Sequence, residues 1–128
     1  MPDSTNRETV ERVIEALNTH DLELFHAQFH DDAVMEYPQS GERIVGAENR
    51  RAVYGAFPGL PKVTPRELRV SGDLVVAEAD LDYGDGVAWQ AVFVFELRDG
   101  KIARETAYWP QPFEAAEWRA QWVEQIGP

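Results

Sequence analysis

The stretch from Pro65 to Trp109 limits the possible folds more than any other part of the chain. It reads as four consecutive β segments, Arg66–Ser71, Leu74–Tyr83, Val87–Leu97 and Ile102–Trp109. Between them lie the turn signals Gly72-Asp73, Gly84-Asp85-Gly86 and Asp99-Gly100. Connections this short leave no room for a crossover, so the strands pair as an antiparallel meander. Such a sheet needs one face shielded from water, and the cover has to come from the rest of the chain.

Helical spacing precedes the meander. Thr5 and Glu8 have capping-box spacing, and Val10, Val13, Ile14 and Leu17 follow as one apolar stripe to about Asn18. Asp21 is placed to cap a second helix with the stripe Leu22, Phe25 and Phe29, expected to end near His30-Asp31-Asp32. Ala33–Tyr37 reads as a short strand stopped by Pro38, and Glu42–Val45 as its return. Gly46 separates these from a third helix, roughly Ala47–Ala56, after which Phe57-Pro58-Gly59-Leu60-Pro61 is a loop. Beyond Pro110-Gln111-Pro112 a last helix is predicted over Phe113–Gln125, with Trp118 and Trp122 on one face to pack over the sheet or across a dimer. Helices first and a meander afterwards make an α+β chain, read as a single domain over residues 1–128.

Charge and composition remove several classes of function. The 128 residues carry 23 acidic and 12 basic side chains, a net charge of −11, which disfavours nucleic acid and anionic membranes as partners. Without cysteine there is no disulfide, thiol nucleophile or thiolate metal site. No apolar run approaches the ~20 residues that span a bilayer, and the first residues are polar, so a soluble, cytoplasmic protein is expected. His26 and His30 stand four apart on the predicted second helix, but two ligands make a weak metal signal, and no metal is assigned.

Three stretches carry a family resemblance. Phe29-His30-Asp31-Asp32-Ala33-Val34 resembles the helix-to-strand junction of the SnoaL-like group within the nuclear transport factor 2-like fold. Tyr37-Pro38 through Gly46-Ala47-Glu48-Asn49 resembles its proline-containing strand end and the glycine at its third helix. Arg98-Asp99-Gly100-Lys101-Ile102, followed by Tyr108-Trp109, resembles its last hairpin. The resemblance implies a cone: N-terminal helices packed on a strongly curved antiparallel sheet, with an apolar cavity at the open end. It also implies a homodimer through the outer face of the sheet. Ketosteroid isomerases, polyketide cyclases, limonene epoxide hydrolases, scytalone dehydratases and plain binding modules share this cone, so the fold leaves the activity open.

In an apolar cavity a carboxyl loses the water that stabilises its charge, and its pKa rises toward neutrality. Four acidic residues on predicted strands are therefore the candidate proton-moving groups: Glu105, Glu36, Glu78 and Asp80. Glu105 is favoured, because Ala103 and Ala107 beside it leave space and Trp109 supplies a wall. Glu78 and Asp80 share a face with Leu74 and Val76; were Val75, Ala77, Ala79 and Leu81 to face the core instead, both acids would lie in water. Candidate ligand contacts are Tyr37, Trp89, Tyr108, Trp109, Phe25 and Phe29. Ala77, Ala79, Leu81 and Tyr83 form a stripe that suggests self-association.

The limonene epoxide hydrolase mechanism is disfavoured, because Ala107 stands where the resemblance calls for an Asp and no Arg flanks Glu78-Ala79-Asp80. The scytalone dehydratase pattern is disfavoured too, since it uses strand histidines and the predicted strands have none. Tyr37 or Tyr108 paired with Glu36 or Glu105 is similar to the donor and base of ketosteroid isomerases. Two readings follow. One is a cofactor-free isomerase, cyclase or dehydratase acting on a small hydrophobic carbonyl compound. The other is a non-catalytic module that binds a hydrophobic ligand or serves as a scaffold. A cavity of about 300 Å³ or more is expected in either ligand-binding case.

Overall fold

The computed structural model describes residues 2–126. Two helices, α1 (Asp3–Thr19) and α2 (Leu22–Ala27), lead into the hairpin β1 (Phe29–Tyr37) and β2 (Glu42–Val45). Helix α3 (Gly46–Gly55) follows, then the meander β3 (Lys62–Ser71), β4 (Leu74–Asp82), β5 (Trp89–Arg98) and β6 (Lys101–Tyr108). The six strands form one sheet in the order β2-β1-β6-β5-β4-β3. Neighbouring strands are antiparallel except β1 and β6, which run parallel, so the curved sheet is mostly antiparallel. Register shifts put extra residues in β1, β3 and β6 and interrupt the ladders, and such bulges bend strands. The sheet curls around α1 and α3, which supply the predicted cover by packing on β3 and β1.

Apolar periodicity places the core. Val10, Val13 and Ala16 of α1 meet Phe25, Phe29, Met35, Phe95 and Ile102, all essentially withdrawn from water. Burying each large side chain contributes about 1.5–3 kcal/mol. The inward residues of β4 are Val75, Ala77, Ala79 and Leu81. They pack inside the curl, so the self-association stripe suggested by Ala77, Ala79, Leu81 and Tyr83 is part of the interior. Polar side chains of α1 fasten the hairpins to it. Asn6 Nδ2 donates to Gly72 O at 2.9 Å and Thr9 Oγ1 to Gly100 O at 2.8 Å.

Several predicted boundaries change for physical reasons. Helix α1 starts at Asp3, directly after Pro2, and has no side-chain cap, so Thr5 and Glu8 lie inside it and form no capping box. Helix α2 stops at Ala27 because Phe29 pairs with Ile102 of β6; His30-Asp31-Asp32 is thereby drawn into a strand despite poor β propensity. His26 and His30 consequently do not share a helix face. Strand β3 begins at Lys62 and runs through Pro65, which an edge strand tolerates because no second neighbour needs its missing N–H. The last helix is absent. Only a 3₁₀ segment, Glu117–Trp122, forms, since a short helix without a packing surface has little to stabilise it. No helix among the described residues is long and apolar enough to cross a membrane.

Asn18 ties the end of α1 to the start of β3 as a strand would. Its Nδ2 donates to Val63 O at 2.8 Å and its Oδ1 accepts from Val63 N at 2.7 Å. Val63 is buried, so its backbone groups have no ready replacement in water. Asn18→Ala is expected to cost about 2 kcal/mol in urea unfolding. A loss below about 0.5 kcal/mol would show that the clasp contributes nothing beyond surface noise.

Candidate functional site

A cavity of about 120 Å³, partly open to solvent, lies between the end of α1, the end of α3 and the concave face of the sheet. It is smaller than the volume expected from the sequence. Its walls are mostly apolar, with Leu17, Phe57, Leu81 and Phe93 among them. Four lining residues carry ionisable groups: Glu105 and the tyrosines Tyr37, Tyr54 and Tyr83.

Glu105 reaches the interior through an irregularity in β6. Leu97 pairs with Ile102 while Glu96 pairs with Arg104, so Ala103 is an extra residue between the two registers. That bulge breaks the simple alternation and lets Ile102 and Glu105, three apart, both face inward. Ala107 then continues the inward row, as strand alternation requires. On the flanking strands Glu105 is paired with Met35 and Phe95, both buried. No side chain among the described residues gives the carboxyl a hydrogen bond. Burial therefore pushes it up from 4.5 to about 8, and the field of Arg50 only partly opposes this.

The tyrosines respond to the same environment. Burial, and then the nearby Glu105 charge, pushes Tyr37 up to about 12. Tyr54 is raised well above its ordinary range by burial first and Glu105 second. Both hydroxyls thus remain protonated donors across the neutral range. Tyr37 is braced edge-on by Trp109 at 4.8 Å between ring centroids, and Tyr54 leans on Phe25 at 4.5 Å.

Behind this wall lies a buried guanidinium. Arg50 Nε donates to His26 Nδ1 at 3.1 Å, and a terminal nitrogen of the same group reaches His30 O at 3.4 Å. The guanidinium also stacks over Phe29, 4.6 Å from the ring centroid. Desolvation, and next the Arg50 charge, pushes His26 down to about 4, which keeps its imidazole a neutral acceptor. Committed in this way, Arg50 acts on Glu105 through space. Gly46, at φ 83°, starts the helix that carries both Arg50 and Tyr54; few residues other than glycine adopt that backbone angle.

The other sequence candidates fall elsewhere. Glu36 sits on the outer face, where its carboxylate pairs with Arg43 at 2.8 Å and with Arg104. Glu78 pairs with Arg69 at 2.6 Å and Asp80 with Arg66 at 3.3 Å, also outside. Because Val75, Ala77, Ala79 and Leu81 point inward, alternation turns these two acids to solvent; of the two orientations the sequence left open, the one with both acids in water is found, and neither is a cavity carboxyl. Tyr37 and Trp109 line the cavity, while Tyr108 points outward. Phe25 and Phe29 belong to the core behind it. Trp89 packs against Tyr83 and borders a shallow groove beside the mouth. Among the described residues no cluster of three or more His, Asp or Glu is arranged to hold a metal.

Sequence reasoning missed Tyr54 and Arg50. The four-residue spacing of these two on α3 was the available signal, since it places them on one helix face.

No protein of curated function matches the chain. Among solved structures, a nuclear transport factor 2-like protein of unknown function from Burkholderia xenovorans is 38% identical, with 97% of each chain covered and a TM-score of 0.86. A provisionally named ketosteroid isomerase from Kribbella flavida is 27% identical over 98% of this chain and 93% of its own, with a TM-score of 0.90. An epoxide hydrolase from M. tuberculosis, similar to limonene epoxide hydrolase, is 25% identical over 84% of each chain, with a TM-score of 0.73. The SnoaL-like domain profile matches residues 10–105, from the first inward valine of α1 to the buried carboxyl itself. The chain belongs to the SnoaL-like family, on the nuclear transport factor 2-like fold.

Proposed function

We propose that the chain is a cofactor-free general acid–base catalyst that moves a proton within a small hydrophobic carbonyl compound. The observation that carries this reading is Glu105, an unpaired carboxyl in a mostly apolar cavity it shares with Tyr37, Tyr54 and Tyr83. Proton transfer is most efficient when the catalytic pKa lies near the working pH, and about 8 meets that condition.

In the reaction proposed, ionised Glu105 takes a proton from the carbon next to the carbonyl. The C–H pair becomes an enolate, whose oxygen accepts hydrogen bonds from Tyr37 or Tyr54. Glu105, now protonated, returns the proton to another carbon to complete an isomerisation. No oxidant or second substrate is needed. The cavity of about 120 Å³ restricts the substrate to a compact molecule or to one that projects through the mouth. That small volume, below the roughly 300 Å³ at which common ligand sites begin, also favours the second reading, a module that holds a small apolar ligand without changing it.

Deuterium exchange at the α-carbon, followed by NMR over a panel of small cyclic ketones and enones, separates the two. Exchange by the wild type that falls about 10²–10⁴-fold in Glu105→Gln supports catalysis. Exchange that Glu105→Gln leaves unchanged, or none across the panel while a ketone still binds, contradicts it.

Stability supplies an independent check. The folded-state pKa of Glu105 lies above the unfolded value, so the folded protein holds an extra proton between about 4.5 and about 8. The resulting stabilisation is complete below pH 4.5, declines as pH rises, and is lost above about 8. Glu105→Gln lacks this group, so its stability relative to wild type is expected to increase by on the order of 3 kcal/mol from pH 5 to pH 8. A difference that stays constant over that range would mean that Glu105 titrates as it does in water.

A further inference from the structure

The groove beside the mouth has a volume of about 370 Å³ and is open to solvent. That size falls in the range of ~300–1,000 Å³ at which small-molecule sites occur. The inner cavity, at about 120 Å³, is closer to the ~150 Å³ that receives a single benzene ring. A ligand much larger than one ring cannot be held by the cavity alone.

Two aromatic pairs join the compartments. Trp109 lines both, and its ring stands edge-on to Tyr37 of the cavity at 4.8 Å between centroids. Trp89 lines the groove and meets Tyr83 of the cavity edge-on at 5.6 Å. Both tryptophans are tied in place by hydrogen bonds within the chain. Trp89 Nε1 donates to Asp85 Oδ2 at 3.0 Å, and the backbone N–H of Trp109 donates to Gln39 Oε1 at 2.7 Å. Platforms fixed in advance lower the ordering cost of binding.

The rest of the groove is polar and uncharged: Ser40, Gln111 and the Nε2 end of Gln39. Neither Gln39 Nε2 nor the Gln111 side chain is bonded to another described residue. No cation is among the described residues that line the groove. The one charge beside it is the Asp85 carboxylate, which the Trp89 N–H holds below the usual range. Such a surface offers aromatic faces and amide groups to a flat, neutral ring with hydroxyls at its edge, and it repels an anion.

We propose that the groove is a second subsite for a two-part ligand. A compact carbonyl head sits beside Glu105, and a neutral hydroxylated ring lies against Trp89 and Trp109 with Gln39 and Gln111 at its hydroxyls. The link between the two parts crosses Trp109, the residue common to both compartments. This inference rests on the reading of the inner cavity as a ketone site, but not on turnover there.

Isothermal titration calorimetry with three probes tests it. They are cyclohexanone, cyclohexanone with a para-hydroxyphenyl group on the carbon opposite the carbonyl, and the para-carboxyphenyl counterpart. Wild type is expected to bind the hydroxyphenyl ketone about tenfold tighter than cyclohexanone, and the carboxyphenyl ketone no tighter than cyclohexanone. Trp89→Ala is expected to weaken the hydroxyphenyl ketone about tenfold and Gln111→Ala about threefold, with cyclohexanone unchanged in both. Gln111 is exposed, so its variant probes the groove without disturbing the core. A hydroxyphenyl ketone that binds no tighter than cyclohexanone, or not at all, overturns the subsite. Variants that weaken both ketones equally, or neither, overturn it too. A carboxyphenyl ketone that binds as tightly as the hydroxyphenyl one overturns the assignment of a neutral ring. Deuterium exchange at the α-carbon separates this inference from the proposed reaction. Selective weakening in the variants without exchange of either ketone keeps the groove and removes the catalysis. Exchange of cyclohexanone with no gain from the added ring keeps the catalysis and removes the groove.

Discussion

The exclusion of water from one carboxyl organises this structure. Glu105 lies between Met35 and Phe95 on the neighbouring strands, with no side chain to hydrogen-bond it. A charge in such a place is costlier than a proton, so the group stays largely neutral until the pH approaches 8. The cation whose field reaches it is Arg50, two of whose donors are engaged by His26 and the His30 carbonyl. An Arg–Glu ion pair would have fixed the carboxylate in its charged form. Turning the guanidinium toward His26 leaves the carboxyl free to exchange its proton with a ligand.

The two faces of the sheet are accordingly different in chemistry. Outside, Glu36, Glu78 and Asp80 are met by Arg43, Arg104, Arg69 and Arg66 in pairs open to solvent. Such pairs add little stability, but they keep acidic side chains away from the interior. Inside, one acid stands among alanines, aromatics and aliphatics. The outer face also carries Val76, paired with Val94, and Val92, paired with Tyr108.

How far the sequence revealed this depended on the range of the interactions involved. The meander was readable because Gly72-Asp73 and Asp99-Gly100 announce turns locally and alternation in β4 is regular. The start of β1 was not, because Phe29 joins a strand only when β6, more than seventy residues later, pairs with it. Glu105 was identifiable as a candidate by residue type and strand context. Its actual orientation depends on the bulge at Ala103, which no local pattern marks. Tyr54 and Arg50 enter the site through closure of α3 over β1, a tertiary event. Trp118 and Trp122 have helical spacing, yet spacing alone did not make a helix where the body offers nothing to pack against.

The Glu105 side chain can be watched directly. A ¹³C-NMR titration of the glutamate carboxyl carbons, with Glu105→Gln used to assign the resonance, reports its ionisation in the folded protein without reference to any substrate. One carboxyl is expected to titrate at about 8, well apart from the remaining glutamates. A Glu105 resonance that moves near 4.5 would show that water reaches the group, and the account of the cavity given above would be wrong.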